Sequence, residues 1–219
     1  MMNKNRIDTR QLVVMALFCA LAFSCVALFR IPVVLFLKYE PKDCLLAIGG
    51  MLYGPVPALL MSVVVSLVEC FTISDTGWIG LIMNILSSAL FICPAAVFYR
   101  RRRTLPSAIA GLAVGAVLTT VGMLLWNWLI TPLYMHIPRE QIEPLLLTAF
   151  LPFNLLKSAL NAVLTVLLYK AIVSALRAAR LVPKTDSPAR RGVSLGVILT
   201  CFFLLATLIL ILLVWRGIL

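Results

Sequence analysis

Apolar residues run along this chain in long blocks, not in the alternating or one-faced patterns of water-soluble elements. Blocks stand at about 11–29, 44–53, 56–73, 78–99, 105–130, 144–176 and 193–215, and most reach the roughly 20 residues a helix needs to cross a bilayer. The breaks between them are chemically clear. Gly54-Pro55 ends the second block, a pair that interrupts helices. Ser74-Asp75-Thr76-Gly77 is a turn sequence, and Arg100 to Arg103 close the fourth block. The pattern predicts an all-α integral membrane protein.

The second block is too short to span. Ten to twelve helical residues rise only about 15–18 Å, against a hydrocarbon core of about 30 Å. The loop before it, Arg30 to Asp43, carries its own apolar stretch, Ile31 to Leu37. Such a loop dips to membrane depth, where irregular backbone is stable only when buried in protein or facing a cavity. The expectation is a lid over a cavity; the alternative is a long surface hairpin. Lys38, Tyr39, Glu40, Lys42 and Asp43 lie on this loop, either to meet a ligand or to solvate the loop tip.

Composition sharpens the class. Of the 219 residues 63% are hydrophobic and 12% charged, against about 25% charged in soluble domains, and mean hydropathy is +1.08. The formal net charge of +11 does not point to nucleic acid. Its cations fall in short segments beside apolar blocks: Lys4, Arg6 and Arg10; Arg100 to Arg103; Arg177, Arg180, Lys184, Arg190 and Arg191. That is the signature of cytoplasmic loops. It predicts a plasma-membrane protein with its N-terminus inside, and segments 30–43, 74–77 and 131–143 outside. The first block lacks a cleavage site of the signal-peptide kind and is expected to stay. None of the six cysteines forms a CxxC pair, so a metal site is not expected.

Enzyme chemistry has little footing. There is no GxxxxGK[ST], HExxH or GxSxG motif, and no catalytic residue is assigned. Polar residues inside the blocks are more informative. Asn154, Lys157, Ser158, Asn161 and Thr165 follow i, i+3, i+4, i+7 and i+11, one side of a helix. A lysine within a span normally faces a cavity or a partner. The stripe either lines a ligand site or ties helices together, with Lys157 snorkelling to the surface. Pro152 precedes it and can loosen the turn. The fifth block offers Thr120, Asn127 and Thr131 on one face; the fourth offers Asn84, Ser87 and Ser88. Glu69 either neutralises Lys157 or faces the outer interface. In the first block Ala16 and Ala20 form a small-xxx-small pair that lets another helix approach.

These residues together resemble a known family. LKYEPKD (Leu37–Asp43) before a short helix ending in YGP, TGWIGLIMN (Thr76–Asn84), the Trp126-Asn127 pair and LPFNLLKSALN (Leu151–Asn161) look like the substrate-binding S component of an energy-coupling factor vitamin transporter, nearest to the riboflavin-specific group. The resemblance covers about residues 10 to 180. It implies a six-helix body with an outward pocket roofed by the first loop, and riboflavin as transported ligand with no cofactor of the chain's own. It implies that Glu40, Asn127, Asn154 and Lys157 match ligand-binding positions, joined here by Tyr39 and Asn84. It also implies that Ala16 and Ala20 meet a transmembrane coupling subunit, with two cytosolic ATPases powering the complex.

The expected organisation is a binding domain over 1–180, a basic cytoplasmic linker over 181–192 and an additional C-terminal transmembrane helix over 193–219. That last helix departs from the six-helix pattern. Its polar content is limited to Ser194, Thr200 and Thr207, so it is read as an anchor or partner contact, dispensable for binding. Three other readings compete. An S component for another vitamin would differ in pocket charge, and Lys157 with Glu69 as the only deep charges favours a neutral ligand. An intramembrane enzyme needs convergent acid, base or metal groups, and a self-sufficient transporter favours internal repeats; neither feature is present in the sequence.

Overall fold

The computed structural model describes residues 8–182 and 195–215, so most of the 181–192 linker and its basic residues lie outside the described part. Eight α-helices and one β-hairpin are present among the described residues: α1 (Thr9–Leu28), β1 (Ile31–Val34), β2 (Leu37–Tyr39), α2 (Lys42–Tyr53), α3 (Pro55–Thr72), α4 (Gly77–Arg102), α5 (Leu105–Met135), α6 (Arg139–Leu145), α7 (Leu151–Ala178) and α8 (Leu195–Trp215). A π turn over Leu146–Phe150 joins α6 to α7 without a break. Five helical segments are long and apolar enough to cross a membrane: α1, α3, α4, α5 and the continuous α6–α7 unit. With α2 they form a six-helix body, and α8 is added to it.

The short helix α2 sits at the centre of that body. Every residue from Lys42 to Met51 is buried, as expected of a helix that is apolar all round and enclosed by others. Leu46, Ala47 and Ile48 of α2 share one core with Val14, Phe18 and Ala22 of α1, Met61 of α3, Phe91 and Ile92 of α4, and Leu112 of α5. Close approach is built from small residues. A Cβ on Gly50 would fall 2.8 Å from Ala58 Cβ and 3.2 Å from Ala96 Cβ, so α2 meets α3 and α4 with almost no space between them. Gly54 then makes the turn into α3 at φ +105°, a conformation that L-residues rarely adopt.

The loop before α2 is more regular than expected. Both readings hold in part, since the segment is a hairpin and also forms a cavity wall. β1 and β2 pair antiparallel, with Ile31 opposite Tyr39 and Pro32 opposite Lys38, and the register shifts between Pro32 and Val34. The positive φ of Leu35 turns the chain between the strands.

The segment expected as a polar loop over 131–143 is also mostly helical. α5 continues to Met135 and ends on His136 in a left-handed conformation. α6 forms because it has a face to bury: Ile142 is fully buried, and it clusters with Leu37 of the hairpin and with Phe150 and Phe153. Its charged residues Arg139, Glu140 and Glu143 stay exposed.

Along α8 the least exposed of the described side chains are Val197, Cys201, Leu205 and Leu208, at i, i+4, i+8 and i+11, one stripe of a helix. Leu205 and Leu208 pack on the cluster containing Leu156 and Leu160 near the start of α7, while Cys201 lies by Val166 and Lys170 further along it. α8 therefore runs antiparallel to α7.

The tight seat of α2 is testable. Gly50→Leu should force α2 away from α3 and α4 and lower stability by about 1–3 kcal/mol or more, read as a reduced unfolding midpoint in detergent. A variant as stable as the parent would mean that the three helices do not meet at this point.

Candidate ligand-binding site

A cavity of about 280 Å³ opens between the hairpin, the turn before α4, and helices α4, α5 and α7. It lies just under the roughly 300–1,000 Å³ of ordinary small-molecule sites, so it suits one small ligand. Leu35, Phe36, Leu37, Met83, Met123, Tyr134 and Phe153 supply apolar wall, and Arg30, Lys38, Glu40, Asp75, Asn84, Ser87, Asn127, Asn154 and Lys157 supply polar groups.

Five residues expected from sequence meet here: Glu40, Asn84, Asn127, Asn154 and Lys157. They come from the hairpin, α4, α5 and α7. Each asparagine of α5 and α7 is tethered to its own helix. Asn127 Nδ2 donates to the Met123 carbonyl at 2.7 Å, and Asn127 Oδ1 accepts from Thr131 at 2.9 Å. Asn154 Nδ2 donates to the Phe150 carbonyl at 2.8 Å. One amide hydrogen of each is thus committed, and the other remains for a ligand. The π turn ends at Phe150, two residues before Pro152, and such turns occur often at functional sites.

Tyr39 does not join them. It lies between Lys38 and Glu40, which line the cavity, but its side chain turns to the face of the hairpin away from that cavity. There it is buried against Leu156 and Leu160.

Charge is arranged differently from the sequence reading. Glu69 does not pair with Lys157. It pairs with Lys42, which is fully buried, and accepts from Asn84 Nδ2 at 3.0 Å. Lys42 Nζ also lies 3.1 Å from Glu40 Oε2, and Glu40 Oε1 accepts from Arg30 Nε at 3.0 Å. Arg30 further donates to the Ile73 carbonyl at the end of α3. Lys157 instead faces Asp43 Oδ2 at 3.8 Å and Ser87 Oγ at 3.4 Å, and Asp43 accepts from Ser88. At the rim, Lys38 pairs with exposed Asp75.

Two carboxyls outside the spans respond to these partners. The hydrogen bond and charge of Lys38 hold Asp75 below the usual carboxylate range. Burial works against the charged form of Glu40, but Lys42, Lys157 and Arg30 together hold its carboxyl low as well.

Lys42 and Asp43 were read as loop residues, there either to meet a ligand or to solvate the loop tip; they instead begin the buried helix α2. Arg30 was not singled out, and the charge network joining Arg30, Lys42 and Asp43 to the cavity was not foreseen. The signal available was their number: a charged cluster entering an apolar block must find internal partners.

Comparisons with known proteins agree with this architecture. Residues 10–169 match the family described as ECF transporter, substrate-specific component. The chain belongs to that family, the S components of energy-coupling factor transporters, and is a multi-pass membrane protein of the transport class. Among similar proteins, the riboflavin transporter RibU of Staphylococcus aureus is 25% identical over 182 residues, covering 79% of this chain and 95% of that protein. The riboflavin transporter FmnP of Bacillus subtilis is 23% identical over 171 residues, covering 73% and 90%. A solved structure of the S component of a bacterial ECF transporter superposes with a TM-score of 0.65 at 23% identity, over 77% of this chain and 98% of that one, which establishes the shared fold.

The ionic network separates two roles. Lys42→Met leaves Glu69 buried without its cation and Glu40 with Arg30 alone, and should cost about 3–5 kcal/mol of stability. Lys157→Met, at the cavity wall, should cost clearly less. Denaturant titration of both detergent-purified variants checks this. Equal losses would mean that Lys42 is not the structural cation.

Proposed function

We propose that this chain is the riboflavin-binding subunit of a vitamin uptake system. The observation that carries the reading is the convergence of Asn84, Asn127, Asn154, Lys157 and Glu40 from four elements onto one apolar-walled cavity. A flavin presents a flat apolar ring system and a pyrimidine edge of alternating acceptors and a donor. Amide side chains offer both functions, so Asn127 and Asn154 are assigned to that edge. The hydroxyl chain needs several polar partners, for which Glu40, Asn84 and Lys157 stand ready. The relatives named as riboflavin transporters support the same substrate.

Charge balance also favours a neutral ligand. The cavity holds more ions than the sequence suggested, but each cation has an anion: Arg30 with Glu40, Lys38 with Asp75, Lys157 with Asp43. An S component for another vitamin is the second reading, and it would require a ligand matching this nearly neutral lining.

Energy is assigned to partners: a transmembrane coupling subunit and two cytosolic ATPases. Ala16 and Ala20 are both exposed on α1, turned away from the core stripe of Val14, Phe18 and Ala22, so this face is free for that subunit. The hairpin, Asp75 and α6 belong to the outer side of the plasma membrane. Arg100–Arg103 and the N-terminus belong inside, by the loop-charge rule.

The first test is to purify the protein and record visible absorbance. A co-purified flavin spectrum, or tight calorimetric binding of added riboflavin, is the expected result. Asn127→Ala and Asn154→Ala should each weaken binding about ten- to hundredfold, since a buried group left unpaired costs roughly 1–3 kcal/mol. If both variants bind riboflavin like the parent, the assigned site is wrong.

The second test concerns coupling. Ala16→Leu with Ala20→Leu should leave riboflavin binding intact and abolish uptake in cells. Robust transport by the isolated chain in liposomes would refute the need for a partner.

A further inference from the structure

The added helix α8 contributes no residue to the cavity wall, which is formed by the hairpin, the 75–76 turn, α4, α5 and α7. It nevertheless reaches the lid. Tyr39, Leu156 and Leu160 form a buried cluster, and the side chains packed on it are Ile31 and Val33 from β1 and Leu205 and Leu208 from α8. Tyr39 is opposite Ile31 in the hairpin register, so both strands send a side chain to this cluster. The cavity side of the same strand carries Lys38 and Glu40. The hairpin is therefore held between two layers: the cavity on one face, and an apolar seat made by α7 and α8 on the other.

From this arrangement we infer that α8 is a brace for the lid, with Leu205 and Leu208 as positioning residues that act on the ligand through Tyr39 and the hairpin. The physical argument is short. The hairpin has only two strands and seven strand residues, and an isolated two-stranded ribbon is marginal by itself. Its cavity-side ties at Lys38–Asp75 and Arg30–Glu40 are ion pairs within or beside a site that must open to admit ligand. Its apolar seat is independent of the ligand. Phe202, Phe203, Ile209 and Leu210 are exposed on the other faces of α8; among the described residues its inward stripe runs Val197, Cys201, Leu205 and Leu208, of which Val197 and Cys201 lie by α7 while Leu205 and Leu208 pack on the cluster that holds the hairpin. The expectation that this helix is dispensable for binding is thereby revised. α8 shapes no contact with ligand, but it sets how readily the hairpin lifts.

The ligand part of this inference rests on the proposed riboflavin reading; the mechanical part does not. The experiment separates them. Full-length parent, Leu205→Ala with Leu208→Ala, and the control Phe202→Ala with Phe203→Ala are reconstituted in lipid nanodiscs. Amide hydrogen exchange is followed in the hairpin and in α2 without ligand, and riboflavin release is followed by the return of flavin fluorescence. The inward pair should speed exchange in the hairpin while leaving α2 protected, and should raise the riboflavin off-rate about tenfold with little change in on-rate. The outward pair should do neither. Unchanged hairpin exchange in the inward pair overturns the brace. Equal loosening by both pairs also overturns it, because the effect would then be general to α8. Should the double variant lose protection in α2 as well, the milder Leu208→Val is measured in its place, and the hairpin must still loosen ahead of α2. If the parent binds no riboflavin, the substrate reading fails, while the exchange data still decide the brace.

Discussion

The structure depends on one constraint: a fully buried ammonium, that of Lys42, must be neutralised inside an apolar body. A lone buried charge is prohibitively costly, and a paired one is stable only with good geometry and further hydrogen bonds. Here the demand recruits Glu69 from α3 and Glu40 from the hairpin. Those carboxylates in turn engage Asn84 of α4 and Arg30 at the end of α1. One ammonium thus fixes the relative placement of four elements around the cavity. The pairing yields little net stability compared with an apolar substitute; what it supplies is register. Asp43, one residue on, makes the second link, to Ser88 and Lys157, so the cavity-lining lysine is positioned from the same helix end.

This explains which parts of the molecule could be read from sequence. The spans were legible because lipid permits only long apolar helices, and α2 because it is too short to be one of them. Asn84, Asn127, Asn154 and Lys157 were legible because each is costly in hydrocarbon, and helical spacing put Asn154 and Lys157 on one face. Partner choice was not legible. Glu69 and Lys157 both looked like isolated deep charges, so that Glu69 either neutralised Lys157 or faced the outer interface. Their actual partners, Lys42 and Asp43, appeared to be loop residues because YEPKD reads as polar and carries a proline. Only the three-dimensional return of the hairpin over the body buries them. Tyr39 lies away from the cavity for a related reason: proximity in sequence to Glu40 does not choose a face, whereas packing against Leu156 and Leu160 does. The helix α6 was missed because its apolar side is just Ile142 and Leu145, too few to show a period.

The two halves of the bundle divide the work. At the hairpin end, polar groups from several elements converge on a cavity and each is tied to a neighbour. At the opposite end, Arg100 to Arg102 close α4, and Tyr99 and Tyr169 share a hydrogen bond between α4 and α7 at 2.6 Å. Between them lies the dry core around α2. Among the described residues the polar cavity and the arginine cluster thus stand at opposite ends of the bundle.

The π turn between α6 and α7 has a consequence for how the family can vary. An α-helix advances about 100° per residue, so one residue added to or removed from a continuous helix rotates everything beyond it by that angle. A wide turn absorbs such a residue locally. Leu146–Phe150 therefore works as a phase adjuster: the rim helix α6 can present a different face to the hairpin without turning Asn154 and Lys157 out of the cavity. Length changes in the outer segment become tolerable on this account, and the cavity wall keeps its aim while the cover above it drifts.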